Sequence, residues 1–555
     1  MLTPRRFISR IGLWITIAVF GWPILLNGQT YSGSGNSHEV FVGTETESYL
    51  RYLDLTDTTS SASWMIRPLS TTQLRRLSSV LVGQPWLTRL SGFSAAPSRT
   101  EVGLLSPNVS LRFNSSFPYG SNDAAVWAGR GATVAVQAGV YARFGPVSLT
   151  LAPLAFSAQN TSFPLAPSSL PCGCGDPVLG GSVDKPQRFG TTSYARLDPG
   201  QSSLAIDIFN INAGFSTANE GWGPQVEYPF ILGNNAAGFP HFFFGSSSPF
   251  SIFIGKAHLK VLYGRLDQTS FSPVNGSKFY FSNLEPGRVR FASGLVASFQ
   301  PRGVDGLEIG GARFVHSVWP RSGIPSSYLK KPFQAFLKVN TPGVDAQLAG
   351  TDNQVAELFA RWAFRPSGLE VYAEYGREDN SYDFRDFAQE PDHSRSYSLG
   401  LAKTIGRHPS GFDVFRVELI NFQLPALATT GRGEGGIYIH GFLRQGHTNR
   451  GQLLGADAGV GAAAASTVRW DRYSTSGRWG FYWRRNVRQE TSDPTLKNPD
   501  VTQISDVLHA FGFERLAFTR HFDITTSLVF MRDLSRNFSS SQSNLNAVAS
   551  ITLPR

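Results

Sequence analysis

The chain has 555 residues, a formal net charge of +10 and only 16% charged side chains, with 56 Gly, 42 Phe and 13% aromatics. That length is too great for one ordinary soluble core, and the charge falls short of the roughly 25% usual in helix-rich soluble proteins. Two cysteines exclude a disulfide scaffold, and the positive excess, spread thinly, suits an acidic polymer as partner; no nucleic-acid partner is expected.

Arg5, Arg6 and Arg10 precede an apolar run from Ile11 to Leu26, followed by Asn27-Gly28-Gln29. A basic start, an apolar middle and small residues make a secretory signal peptide over 1–28. The alternative, an N-terminal membrane anchor, is disfavoured by the shortness of the run and by Gly21 and Pro23. Beyond residue 28 no run of 18 or more apolar residues remains, so no transmembrane helix is expected.

Residues 29–97 read as a small helical segment. Thr44 and Glu47 stand at capping-box spacing before Tyr49, Leu50 and Leu53. Ser70 and Gln73 repeat that spacing before Leu74, Leu77, Val80 and Leu81. "PWLTRLSGF" adds a further helical turn.

From residue 98 to 555 the period changes from 3.6 to 2. In "ATVAVQAGVYARF", Ala132, Val134, Val136, Ala138, Val140, Ala142 and Phe144 point one way, and Thr133, Gln137, Tyr141 and Arg143 the other. Gly145-Pro146 turns the chain into a return strand. "ELFARWAF" and "LEVYAEY" form a second hairpin, with Leu358, Ala360, Trp362 and Phe364 outward and Glu357, Arg361, Glu370 and Glu374 inward. Later segments, down to "FDITTSLVFMRDL" and "LNAVASITL", repeat the pattern. Their length is close to the ~9–11 residues of a tilted membrane-crossing strand. Long connections alternating with tight turns favour an all-β, antiparallel transmembrane barrel in an outer membrane over the alternative, a secreted sandwich or propeller.

No catalytic constellation is visible, and neither a metal site nor a cofactor is expected. Cys172 and Cys174 form a C-x-C pair, short of the four ligands zinc wants, and read as a loop pair. His440 and His447, seven apart, fit neither helical nor strand ligand spacing and read as polar residues in or near a loop. The acids Glu378, Asp379, Asp383 and Asp386 read as solvated or cation-binding loop residues, without a complete calcium-loop ligand set.

"RWDRYSTSGRWGFYWRRN" is the richest saccharide-binding candidate. Trp470, Tyr473, Trp479 and Trp483 offer ring faces, and Arg478, Arg484 and Arg485 offer charge and planar donors suited to an anionic sugar. The competing reading is an aromatic girdle at the membrane interface with arginines inside the barrel.

"NEGWGPQVEYPFILGNNAAGFP" resembles the signature of the Wzi capsule-assembly family, a W-G-P-G element followed by a short apolar run, an Asn-Asn pair and Pro. "VDGLEIGGARF", "ELFARWAFRPSGLEVYAEYGRED", "GIYIHGFLRQGHTNRGQLLG" and the helical "MIRPLSTTQLRRL" are similar to further family segments, in the same order, over residues 40 to 485. Gln225 stands where the family's second Gly does, and the chain ends Leu553-Pro554-Arg555 where many outer-membrane barrels end in an aromatic.

The resemblance implies a barrel of about 18 strands with a small periplasmic helical part. It also implies a lectin that holds capsular or extracellular polysaccharide at the cell surface and supports capsule assembly. Trp222, Gly223, Pro224, Asn234 and Asn235 would be architectural, setting a corner and pairing backbone groups of an inward-folded segment. A non-enzymatic monomer in contact with outer-membrane lipid is expected. The alternatives are a diffusion porin or saccharide channel, which an unplugged lumen would support, and a barrel enzyme, for which no converging pair can be assembled.

Overall fold

The computed structural model describes residues 37–57, 62–87, 89–90, 100–166, 176, 183–274, 289–320, 323–334, 352–378, 384–424, 436–441, 443–489 and 505–553. The expected signal peptide (1–28), Cys172, Cys174, Asp379 and Asp383 lie outside the described residues.

Eighteen antiparallel strands close on themselves. The first six are β1 (Thr100–Asn114), β2 (Gly131–Phe144), β3 (Val147–Leu151, resumed at Leu154–Ala158), β4 (Tyr194–Asp198 and Ser203–Ile208), β5 (Ile211–Ser216) and β6 (His241–Ser246 with Phe250–Ile252). Next come β7 (Gly255–Asp267), β8 (Val289–Pro301), β9 (Leu307–Val318), β10 (Asp352–Phe364), β11 (Leu369–Glu378) and β12 (Arg395–His408). The last are β13 (Gly411–Asn421), β14 (Ala463–Ser474), β15 (Gly477–Gln489), β16 (Ser505–Phe518), β17 (Asp523–Leu534) and β18 (Gln542–Thr552). β18 pairs with β1 from Asn546↔Asn114 to Thr552↔Asn108, so no sheet edge is left unpaired at the seam. The register of β1 slips between Leu105 and Asn108, where Pro107, which has no N–H to give, is accommodated.

Alternation decides which face is which. Leu358, Phe511 and Phe530 are more than half exposed on the outer face, whereas Glu357 and Arg361, one residue off that row, are 3% and 2% exposed inside. Tight turns such as Gly145-Pro146 and Thr475-Ser476 all fall at one end of the barrel, and the long connections at the other. Both β1 and β18 have their outer termini at the short-turn end, where Thr100 pairs Phe144 and Thr552 pairs Asp523.

The lumen is filled from both ends. From the short-turn end come α1 (Glu45–Asp54) and α2 (Thr71–Arg76). Thr44 caps α1 by accepting from Glu47 N at 3.3 Å, and Glu47 reaches back to Gly43 N at 2.7 Å. Ser70 caps α2 through Gln73 N at 3.2 Å. Each such cap stabilises its helix by about 1 kcal/mol. Leu77–Leu81 continues as a 3₁₀ turn, and Trp86 to Leu90 as hydrogen-bonded turns rather than a further helix. The apolar face of α1 packs on barrel and turn aromatics: Tyr49 stacks on Trp86 at 4.1 Å and lies 5.5 Å from Tyr473. Arg51 meets Glu370 of β11 at 3.1 Å, and Glu370 also takes Arg361 of β10 at 2.6 Å.

From the long-loop end, residues 217–240 and the described residues of 436–462 fold inward; the first segment is almost wholly buried and the second mostly so. Gly221-Trp222 forms a two-residue ladder with Ile66-Arg67, so the two inserts meet inside the barrel. Trp222 is fully buried against Gly294 of β8, where a Cβ would lie 2.5 Å from the indole. Gly223 has φ +78°, and a Cβ there would meet the Glu374 carboxylate at 2.5 Å, so glycine is required twice over.

The irregular backbone is paired by the wall. Glu418 accepts from Val226 N and Glu227 N at 3.1 and 2.7 Å, and Glu374 accepts from Gln225 N at 3.2 Å. Arg67 donates to the carbonyls of Gly223 and Gln225. Arg290 donates to those of Gly446 and Thr448. Inward charges thus replace the ladder that a buried non-strand segment lacks. Asn234 and Asn235 extend this by donating to the carbonyls of Asn122 and Leu453 at 2.8 and 3.1 Å. Pro224 is buried in the same corner.

Candidate functional site

The seven saccharide-binding candidates do not form a loop; they lie on the β14–β15 hairpin, around its two-residue turn at the short-turn end. Strand parity divides them. Trp470, Trp479, Trp483 and Arg485 fall on the outer row, with Trp470 stacked on Phe481 at 5.7 Å and Trp483 on His509 at 6.0 Å. Tyr473, Arg478 and Arg484 point inward. Tyr473 is 2% exposed among α1 aromatics. Arg478 joins Glu45 of α1 at 2.6 Å and Glu514 at 2.7 Å, and also pairs with Asp471. Arg484 holds Glu227 of the inward segment at 2.7 Å. The candidates therefore do not make one surface: a two-residue turn flanked by paired strands sends neighbouring aromatics and arginines to opposite sides of the wall. The inward arginines are consumed by structural ion pairs.

The histidines are also placed by packing. His447 is buried, with Nε2 2.6 Å from the Ile231 carbonyl and its ring 5.7 Å from that of His316. His440 Nδ1 accepts from Leu443 N at 3.0 Å. Glu378 ends β11 and accepts from Tyr438 N and from Asn353 Nδ2. Among the described residues no group of three or more His, Cys, Asp or Glu converges to hold a metal.

A cleft of about 280 Å³ opens instead at the long-loop end. The connection 115–130 supplies Phe117, Tyr119 and Trp127, and the connection 159–193 supplies Phe163, Asp176, Lys185 and Gln187. The inward segments form a floor with Asn235, Gln452, Leu453 and Asp457. The long-loop ends of β15 to β17 add Asn486, Arg488, Asp506 and Asp533, with Arg536 just beyond.

Aromatic faces and fixed polar groups alternate around this wall. Trp127 packs on Phe189 at 4.8 Å, and the Arg536 guanidinium covers Phe117 at 3.8 Å. Arg488 grips both oxygens of Asp176 at 2.9 and 3.0 Å, and Arg536 pairs with Asp533 at 3.0 Å. Asn486 is oriented by donating to the Asp457 carbonyl at 2.9 Å. Burial pushes the Asp457 carboxyl up, against the pull of Lys185, and pushes the Lys185 ammonium down, helped by nearby Arg488.

Several buried polar atoms of the lining have no partner among the described residues: Tyr119 Oη, Gln452 Oε1, Asn486 Oδ1, and the Nε atoms of Arg488 and Arg536. Such a wall of rings and unsatisfied donors and acceptors suits a small polar ligand with several hydrogen-bonding groups. The sequence reading missed it. Its members come from stretches as far apart as Asp176 and Arg488, and its loops are glycine-rich and aperiodic. The signal that was present was local: Trp127 in a Gly/Ala-rich connection, and Asn486 at the end of the aromatic run.

A model of the family described as capsule assembly protein Wzi matches residues 112–511. Among solved structures, the Escherichia coli protein described as Wzi, an outer membrane protein involved in group 1 capsule assembly and a carbohydrate-binding β-barrel, aligns with a TM-score of 0.58. The alignment has 15% identity over 93% of this chain and 99% of that one, a likeness of fold. Acinetobacter baumannii OccAB3 aligns at a TM-score of 0.38, with 9% identity over 81% of this chain and 98% of that one. Pseudomonas aeruginosa OprD aligns at 0.37, with 9% identity over 82% and 93%. No curated protein matches the sequence.

Proposed function

Because the chain belongs to the Wzi capsule-assembly family, we propose that it is an outer-membrane lectin. It binds capsular or extracellular polysaccharide at the cell surface and supports capsule assembly and attachment. The observation that carries this reading is the cleft at the long-loop end above a filled lumen. Short turns face the periplasm and long loops the exterior in barrels of this kind, which places the cleft outside and the helices of residues 29–97 in the periplasmic mouth. The outer apolar face contacts lipid. The role is binding rather than catalysis, and the barrel acts as a monomer. A diffusion channel is disfavoured, because α1, α2 and the segments 217–240 and 436–462 occupy the space a solute would cross.

The test is binding of the detergent-solubilised protein to its host's surface polysaccharide, measured beside single-channel conductance in a planar bilayer. Saturable binding with negligible conductance is expected. Large, steady conductance without binding would overturn the reading.

A further inference from the structure

The charge and hydrogen-bonding pattern of the cleft are more specific than its shape. Resting on the saccharide reading above, we propose that this cleft grips uncharged, hydroxyl- or amide-bearing sugar units, and that any acidic groups of the polymer lie outside it.

The first observation is electrostatic. Among the described residues the lining holds five aspartates against three cations. Two of those cations are already committed, Arg488 to Asp176 and Arg536 to Asp533. The third, Lys185, forms no ion pair with the described residues of the wall, and it feels the charges of Asp176 and Asp457. Asp123 is paired with Arg112 at 3.0 Å, so a uronate carboxylate entering here would find both arginines of the lining already holding aspartates and no free arginine fork.

The second observation is independent of net charge. Among the described residues Gln452 Oε1 and Asn486 Oδ1 are buried acceptors without donors, while Arg488 Nε is a buried donor without an acceptor. Tyr119 Oη, also unpartnered, can act either way. A carboxylate only accepts, so it would satisfy the arginine and leave both amide oxygens orphaned. A sugar hydroxyl donates and accepts at once, and an acetamido group carries one of each; either can pair both sets. The volume, about 280 Å³, admits about one or two sugar rings against Trp127 rather than a length of chain. This departs from the acidic partner suggested by the net charge of the sequence, because that charge is an average to which the cleft does not conform.

The experiment compares the host's native surface polysaccharide with the same material after chemical reduction of its uronic carboxyls. Both are titrated onto the intact detergent-solubilised protein at low and high salt. The reduced polymer is expected to bind within about twofold of the native one, with little salt dependence. Tyr119→Phe, which deletes only an unpartnered hydroxyl, is expected to weaken both by about threefold, and Gln452→Leu by about tenfold. A tenfold or greater loss on carboxyl reduction, or affinity that collapses with salt, overturns the inference and leaves the polysaccharide reading standing. Binding of neither polymer overturns that reading and the inference together. Unchanged affinity in both variants, with folding verified by melting, removes the cleft as the site.

Discussion

The two ends of this barrel are both closed, but by opposite means. At the short-turn end the closure is helical, and side chains hold it: Arg478 to Glu45, Arg51 to Glu370, Tyr49 on Trp86. At the long-loop end the closure is irregular chain, and the wall holds its backbone: Glu418, Glu374 and Arg290 reach its N–H and C=O groups directly. A helix satisfies its own backbone and needs only its flanks fixed. An aperiodic segment does not, and it recruits the charged inner wall to do so.

The strongest way to break this contrast is Trp222→Ala. It removes a fully buried indole at the meeting point of the two inserts and is expected to cost about 4 kcal/mol. Measured by thermal melting, it should also raise conductance; an unchanged melting point would mean the inserts do not depend on each other. Arg478→Ala tests the helical end. It takes a partner from Glu45, Asp471 and Glu514, of which the last two keep Arg469, with a cost of about 3 kcal/mol. Limited proteolysis should then cut the helical segment while sparing 217–240.

Acid tests the other end. Burial holds the His447 imidazole down at about 4, below its ordinary 6.5, so the unfolded chain takes up that proton first. Its contribution is complete above pH 6.5 and is lost as pH falls toward 4, by about 3 kcal/mol in all. His447→Gln should flatten that limb of the stability profile; a profile identical to the wild type would exclude His447 as its source. Thr44→Ala should cost only about 1 kcal/mol, the value of one cap, in chemical denaturation. Tyr119→Phe should leave stability within about 0.5 kcal/mol, since its hydroxyl pairs with none of the described residues, while still weakening saccharide binding.

The barrel could be read from the sequence because alternation is a local property. Val134 beside Thr133, or Leu358 beside Glu357, already states which way each side chain points. The helical caps were legible for the same reason, Thr44 and Glu47 being three residues apart. The β14–β15 hairpin left two readings open because its outer row of Trp470, Trp479 and Trp483 and its inner row of Arg478 and Arg484 interleave. The mixture looks like one surface until strand parity separates it. The cleft was beyond reach for a different reason. Asn235 joins Leu453 across 218 residues and Arg488 joins Asp176 across 312, and no periodicity spans such intervals.

An even strand count brings the entry of β1 and the exit of β18 to the same mouth, the one stoppered by α1. A reporter joined at the outer end of β1 or of β18 would therefore sample one compartment only. Display on the opposite face must be engineered into a loop, and the connection between β17 and β18, which carries Arg536, would place the cargo at the lip of the cleft.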